Sequence, residues 1–262
     1  ISPEMPFRKE IMIPEGIRDT DLRAALHAAD GRELVSYQPV AKEPPAELPE
    51  PVQRPPAPEE IQTIEELYLT GLRVEQIHNP SVDPFDYYEE ALKRDPGDAR
   101  TNTIVGINYL KQGRFAQAEN HLRTAIERVS AEYTRPINTE AYYYLGLVLK
   151  AQEKGEEAYT QFYRATWDYA FHSAAYYQLA ELSCRRGDFK RALEQIDHSL
   201  STNQLDTKAM NLKALILRKL GKSEQAQEVA QKVSEIDPLD FLAMNEQYCL
   251  VRESDAQKAD DL

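Results

Sequence analysis

The nine residues RRGDFKRAL (185–193) decide the fold of this chain. Within them Gly187 is followed by an aromatic residue and then by Ala192, which opens a second apolar stripe. Two similar stretches, LKQGRFAQA (110–118) and RKLGKSEQA (218–226), also place an alanine five residues after a glycine. Because helices commonly end at a glycine in the left-handed conformation, we interpret each stretch as a corner between two helices.

The spacing of small residues indicates a structural repeat. Ala158, Ala192 and Ala226 follow one another at intervals of 34 residues. Ala118 precedes Ala158 by 40 residues, so six extra residues lie between them, most naturally within SAEYTRPINT (130–139). A two-helix unit cannot bury its apolar face alone, so successive units are expected to stack. The insertion should perturb the curvature of the stack locally.

A second set of small residues lies at one position of the first helices, where two helices must approach closely. They are Gly106, Gly146, Ala180 and Ala214. Gly113, Gly187 and Gly221 fall at the ends of the first helices, where the chain has to turn. These residues are explained by packing and by backbone geometry, without any chemistry.

Four segments resemble tetratricopeptide repeats in their large residue, Leu-Gly or Leu-Ala pair, turn glycine, aromatic residue and alanines. They are residues 105–126, 142–166, 176–200 and 210–238. An irregular earlier unit ends in YYEEALKRDPGD (87–98), and FLAMNEQYCLVRE (241–253) resembles a final helix. The resemblance covers about three quarters of the chain. It implies a right-handed solenoid of about four to five antiparallel helix pairs.

The chain also resembles, more narrowly, a bacterial family that joins a galactose-mutarotase-like β-supersandwich to a tetratricopeptide array. The matching segments are residues 6–23, 30–39, 65–98 and 164–189. This resemblance implies a carbohydrate-related role for an upstream domain. It places no active residue in this sequence.

The residues before the repeats have a different pattern. FRKEIMI (7–13), DLRAALHA (21–28) and ELVSY (33–37) predict three short strands, with a hairpin turn at ADG (29–31). Three strands alone bury too little to be stable, so we expect them to be the tail of an upstream β-sandwich. The predicted domains are a β-strand fragment (1–39), a Pro-rich linker (40–60), a repeat domain (61–255) and an acidic C-terminal tail (256–262).

Composition narrows the classes of partner. A net charge of −13 argues against nucleic acid, which proteins bind mainly through Lys and Arg, and it equally disfavours an anionic membrane. No apolar run is long enough for a membrane span. Cys184 and Cys249 lack the spacing of a disulfide framework or a metal site, so we expect free thiols and a cytoplasmic protein.

The sequence offers no catalytic constellation. It contains no GxSxG, HExxH, P-loop or GxGxxG motif, its five histidines are scattered, and its paired carboxylates are typical of solvated helix faces. We therefore predict no catalytic residue, no metal and no cofactor, and a non-enzymatic protein.

The repeat register assigns a candidate binding groove on the first helices. Its predicted residues are Arg100, Thr103, Ile107, Lys111, Tyr143, Leu147, Lys150, Tyr177, Glu181, Arg185, Lys208, Asn211 and Arg218, with Cys184 and Leu215 in the same register. Basic groups outnumber acidic ones, so we expect a peptide or protein with an acidic or carboxylate feature. The alternative is that these Lys and Arg side chains only keep an exposed face soluble. Thr103 and Ile107 stand at the positions of the family's carboxylate clamp, which disfavours chaperone C-termini.

Aromatic residues crowd one repeat junction. They are Tyr142, Tyr143, Tyr144, Tyr159, Phe162, Tyr163, Trp167, Tyr169, Phe171, Tyr176 and Tyr177. The register places Tyr142, Phe162 and Tyr176 in the core, and Tyr143 and Tyr177 toward the groove.

Three functions stay open at this point. The first is a scaffold that binds a peptide or partner protein in the concave groove. The second is a module that positions or dimerises a carbohydrate-active enzyme domain upstream. The third is direct binding of saccharide by the Tyr and Trp cluster, since aromatic rings are common rigid anchors.

Overall fold

The computed structural model describes residues 10–41, 53–77, 80–132 and 135–254. The chain divides into two compact units, one ending at Arg54 and the other beginning at Pro55. The predicted acidic tail (256–262) and most of the predicted linker lie outside the described residues.

The described part of the N-terminal unit is a β-hairpin. Strands β1 (Ala24–His27) and β2 (Glu33–Tyr37) pair antiparallel. They are joined at Gly31, whose φ of 86° explains the glycine in the predicted turn. Residues 10–13 form no strand, so the first predicted strand is absent where it is described, and residues 7–9 lie outside the description. Every strand side chain is exposed, because two strands cannot enclose a core.

The second unit is helical. Its helices are α1 (Ile64–Gln76), α2 (Pro84–Arg94), α3 (Ala99–Lys111), α4 (Phe115–Ser130), α5 (Glu140–Ala151), α6 (Gly155–Ala165), α7 (Tyr169–Arg185), α8 (Phe189–Thr202), α9 (Thr207–Lys219), α10 (Ser223–Ile236) and α11 (Phe241–Ser254). Each odd-numbered helix up to α9 packs on the helix that follows it, which gives five pairs and a final single helix among the described residues. The predicted mainly helical solenoid is confirmed.

The odd-numbered helices form one layer of the stack. Helix α3 contacts α5, α5 contacts α7, α7 contacts α9, and α9 contacts α11. Direct contact between successive first helices is expected on the inner side of a curved stack, where neighbouring units are closest. We call the surface of these helices the inner surface.

Close contact between a small and a large residue sets the distance within each of the first three pairs. A Cβ added to Gly106 would lie 2.6 Å from Cγ of Leu122, and one added to Gly146 would lie 2.6 Å from Cε1 of Phe162. Gly71 packs against Tyr88 in the same way. In the later pairs Ala180 and Ala214 are fully buried. The predicted close approach at this position is confirmed.

The corners between paired helices share one geometry. Gly113, Gly187 and Gly221 have φ of 73°, 77° and 73°, as the register predicts. The corner between α5 and α6 has Glu153 at this place, with φ of 63°. There the N–H of Lys154 still donates to the carbonyl of Leu149 at 2.9 Å, so the turn forms despite the side chain.

The helical unit begins before the end of the predicted linker. The Oη of Tyr87 donates to the carbonyl of Pro56 at 2.9 Å, and the guanidinium of Arg94 donates to the carbonyl of Ile61 at 2.6 Å. A 3-10 helix, Pro58–Glu60, leads into the buried Ile61. Residues 55–60 therefore belong to the repeat unit rather than to the spacer, because α2 supplies partners for their carbonyl groups.

The insertion lies where the spacing of the alanines predicts it. Residues 131–139 connect α4 to α5, whereas residues 166–168 and 203–206 suffice for the next two connections between pairs. The Oγ1 of Thr139 donates to the carbonyl of Ala165 at 3.1 Å, which ties the end of the long connection to α6.

Gly146→Ala should lower the free energy of unfolding by about 1 to 3 kcal/mol, because its methyl group would overlap the buried ring of Phe162. Gly155→Ala is the matched control, since nothing lies within 4 Å of the added Cβ. Urea denaturation followed by circular dichroism measures both. Equal stability of the two variants would contradict the proposed close contact.

Glu153→Gly should raise the free energy of unfolding by about 1 kcal/mol, because a non-glycine residue pays about 1 to 2 kcal/mol in the left-handed region, partly offset by the greater freedom of glycine in the unfolded chain. Glu153→Ala keeps the strained backbone and serves as the control. Thermal and urea unfolding compare the three proteins. A glycine variant no more stable than the alanine variant would show that this corner carries no strain.

Candidate binding surface

The structure places the predicted groove residues at three depths. Thr103, Ile107 and Asn211 are buried. Tyr143, Leu147, Lys150, Tyr177, Glu181 and Arg218 are partly buried, and Arg100, Lys111, Arg185 and Lys208 are exposed. All of them lie on α3, α5, α7 or α9, four helices of the inner surface.

The basic residues of α3 are paired with acidic residues of α1. Nη1 of Arg100 lies 3.1 Å from Oε1 of Glu65, and Nζ of Lys111 lies 3.3 Å from Oε1 of Glu75. The carboxylate of Glu75 also accepts the Oη proton of Tyr88 at 3.0 Å. These contacts join the first two pairs across the inner surface.

A similar network joins α5 and α7. Nζ of Lys150 donates to Oε2 of Glu181 at 2.6 Å and to Oε1 of Gln178 at 2.7 Å. Arg185 donates to the other oxygen of Glu181 at 2.8 Å. Burial raises the pKa of the Glu181 carboxyl, but Lys150 and Arg185 outweigh burial and hold that pKa below its ordinary value. Glu181 is therefore a charged link between helices at neutral pH.

The most buried of these links joins α9 and α11. Nε of Arg218 lies 2.8 Å from Oε2 of Glu246, and the two side chains are 10% and 7% exposed. The amide nitrogen of Asn211 donates to both carboxylate oxygens of Asp240, which also caps the first turn of α11. Arg218 and Asn211 thus hold the final helix in place.

These ion pairs correct the predicted charge of the groove. The acidic partners Glu65, Glu75 and Glu246 were missed because they are separated from their basic partners by 35, 36 and 28 residues and come from the adjoining inner helix. Opposite charges about one repeat apart were the signal that could have found them. The inner surface is consequently much closer to neutral than its predicted residues suggest.

A cavity of about 170 Å³ opens on the inner surface between α7, α9 and α11. It is lined by Tyr177, Lys208, Asn211, Leu212, Leu215, Leu242 and Glu246. We call it the C-terminal cavity. The ammonium of Lys208 lies 4.7 Å from the ring centroid of Tyr177. Burial, with the charges of Glu181 and Asp206, raises the pKa of Tyr177 to about 12, so this wall stays neutral while Lys208 is charged.

A larger cavity, of about 290 Å³, lies between α1, α3 and α5. Its lining residues are Tyr68, Ala99, Arg100, Thr103, Val129, Asn138, Glu140 and Ala141. We call it the N-terminal cavity. Val129 and Asn138 stand on either side of the long connection, so the insertion forms part of its wall.

The predicted aromatic cluster is spread over three environments. Tyr142 and Phe162 are core residues, as the register predicts. Tyr143 packs against Tyr144 and Phe171, with ring centroids 5.4 and 5.2 Å apart.

Other members of the cluster lie elsewhere. Tyr176 is only partly buried and lies between His172 and His198, with ring centroids 4.7 and 4.8 Å away. Trp167 carries the guanidinium of Arg164 5.3 Å from its ring and contacts Tyr163. The aromatic rings therefore form no single platform for a ligand.

The remaining candidate chemistry is limited. Cys184 and Cys249 are free and partly buried, and burial with the charge of Glu181 raises the pKa of Cys184 to about 11. Within the described ranges no group of three or more His, Cys, Asp or Glu residues is arranged to hold a metal ion. None of the helices described is both long and apolar enough to cross a membrane.

Two segments match family models of the tetratricopeptide repeat, residues 106–170 and residues 207–238. The first match runs from α3 to the start of α7, and the second spans α9 and α10. With the five helix pairs described above, these matches show that the chain is a tetratricopeptide repeat protein.

Solved structures of other tetratricopeptide proteins share the fold. PilF of Pseudomonas aeruginosa superposes with a TM-score of 0.62 at 19% identity, over 75% of this chain and 86% of that one. A tetratricopeptide repeat protein from Parabacteroides merdae gives 0.58 at 16% identity, over 75% of each chain. YrrB, a tetratricopeptide protein with an unusual peptide-binding site, gives 0.56 at 20% identity, over 69% and 90%. At these identities the similarity establishes the fold alone.

Arg218→Met should lower the free energy of unfolding by about 3 to 5 kcal/mol, because it leaves the carboxylate of Glu246 buried without its partner. Adding Glu246→Leu should recover most of the loss. Arg185→Met, at an exposed ion pair, should cost less than about 1 kcal/mol. Urea unfolding tests all three, and a single Arg218 variant as stable as the Arg185 variant would show that the buried pair does not hold α11.

Proposed function

We propose that this protein is a non-enzymatic scaffold whose inner surface binds a segment of another protein. The segment would insert an apolar side chain into the C-terminal cavity and place an acidic group beside Lys208. The observation that carries the proposal is this cavity, where three leucines and a tyrosine are accessible next to a charged lysine.

The shape and lining of the cavity fit a side-chain anchor. Leu212, Leu215 and Tyr177 form apolar walls, and Leu242, 61% exposed, stands at the rim. Protein-binding sites commonly combine a mainly apolar pocket with a few polar groups that fix orientation. An anchor that covers the rim leucine would remove apolar surface from water, which is worth about 25 cal/mol per Å² before the costs of association.

Charge supports the acidic feature at one place only. Lys208 has no carboxylate within ion-pair distance in the described part of the chain, whereas Arg100, Lys111, Lys150, Arg185 and Arg218 all do. An acidic group on the ligand would therefore meet an uncompensated positive charge at Lys208 without breaking an existing pair. The other basic residues act between helices.

The fold gives general support. YrrB is a tetratricopeptide protein with a peptide-binding site, and an inner surface of stacked helix pairs is suited to an extended or helical segment. Positioning an upstream carbohydrate-active domain stays a prediction from the sequence. Saccharide binding by the aromatic cluster loses its main argument, since the rings are divided between core, inner surface and outer helices.

Peptides selected from a random phage-displayed library on the full chain should share an apolar residue next to an acidic one. Leu242→Asp should weaken their binding at least tenfold, or about 1.4 kcal/mol, because it places a charge at the rim of the cavity. Fluorescence anisotropy with labelled peptides measures the dissociation constants.

Leu239→Asp is the matched control, because Leu239 is also exposed but does not line the cavity. It should change affinity less than about twofold, and circular dichroism should show both variants folded. If both variants bind equally well, or if selection yields no specific peptide, the C-terminal cavity is not the anchor site.

A further inference from the structure

The N-terminal cavity contains an ionised group that the helix-to-helix network leaves out. Glu140, the first residue of α5, lines the cavity. Its N–H donates to Oδ1 of Asn138 at 2.8 Å, but its carboxylate has no ion-pair partner among the residues described. The other inner-surface glutamates discussed above, Glu65, Glu75, Glu181 and Glu246, each pair with a Lys or Arg.

The one cation that lines this cavity is already engaged. The guanidinium of Arg100 pairs with Glu65 at 3.1 Å and lies 5.2 Å from the ring centroid of Tyr68. The charge of Asp168, the N-cap of α7, reaches Glu140 and disfavours its ionisation. Three carboxylates therefore act on this region against a single guanidinium, and the cavity is electronegative.

An aromatic wall completes the site. Tyr68 of α1 lines the cavity together with Glu140 of α5. Burial, followed by the charge of Glu140, raises the pKa of Tyr68, which places the carboxylate within electrostatic reach of the ring. A cation near both groups would gain a charge-assisted hydrogen bond and a cation–π interaction.

The insertion explains why this site exists at only one repeat junction. Helices α3, α7 and α9 begin after aspartates, Asp98, Asp168 and Asp206, whose side chains cap the helix. Helix α5 follows Thr139 instead, whose hydroxyl is bound to Ala165, and Glu140 stands in the first turn without a capping bond. The connection of residues 131–139 leaves the space that the cavity occupies.

We propose that the N-terminal cavity binds a lysine or arginine side chain of the peptide partner, with Glu140 as its counter-ion and Tyr68 as the aromatic wall. This inference deepens the proposed function and rests on the inner surface being a peptide-binding surface. The cavity has the volume of roughly ten water molecules at about 30 Å³ each, which is ample for either side chain. The partner then carries a basic residue for this cavity as well as an acidic one for Lys208.

The site is tested with N-acetyl-arginine amide titrated into the full chain and observed by amide NMR. The shifts of Ala99, Thr103 and Ala141 should saturate in the millimolar range, while N-acetyl-citrulline amide, which has the same shape without the charge, should produce none. Glu140→Gln should weaken the arginine probe at least tenfold. Glu224→Gln, which removes an exposed charge from the first turn of α10, should leave binding unchanged.

The same titration has a pH signature. Burial and the charge of Asp168 raise the pKa of the Glu140 carboxyl, and the other groups facing it are Tyr68, Arg100 and Tyr144. Binding should weaken as the pH falls through this raised pKa, and Glu140→Gln should abolish that dependence.

Equal shifts with the citrulline probe, an unchanged affinity of Glu140→Gln, or the lack of saturable shifts would each overturn the assignment. The probe has no apolar anchor for the C-terminal cavity. A failure here is therefore distinguishable from a failure of the proposed peptide site.

Discussion

The contact between a small residue on the first helix of a pair and a large residue on the second is the constraint on which the rest of the structure depends. With no room for a Cβ at Gly71, Gly106 and Gly146, the two axes lie close together and the register between the helices is fixed. Because that register repeats from pair to pair, the same positions of each first helix return to the inner surface. The binding surface is thus a consequence of packing.

Ion pairs between adjoining first helices add a second layer of order. Each joins residues about one repeat apart, and the pair of Arg218 and Glu246 is nearly out of contact with water. Exposed pairs of this kind contribute little to stability, but each one removes a charge from those available to a ligand. Lys208 on α9 and Glu140 on α5 are outside these pairs, which makes them the charges best placed to select a partner.

The interrupted repeat gives the inner surface its asymmetry. A regular solenoid would present similar grooves at every junction, whereas the connection of residues 131–139 widens the junction between α3 and α5 and replaces the capping aspartate by Thr139 and Glu140. The far end of the surface has a small apolar cavity, lined in part by the single helix α11. A segment that spans both would meet two chemically different sites.

The sequence by itself determined the repeat, the corners and the core. Small residues and turn glycines recur at fixed intervals because backbone sterics and helix packing tolerate few alternatives at those positions, and the one departure, Glu153, keeps the same turn. Tertiary structure alone decided which charges stay free, because an ion pair depends on distances between side chains of different repeats. Arg218, predicted as a ligand-binding residue, is therefore a structural one, while Glu140, which the register passed over, faces an open cavity.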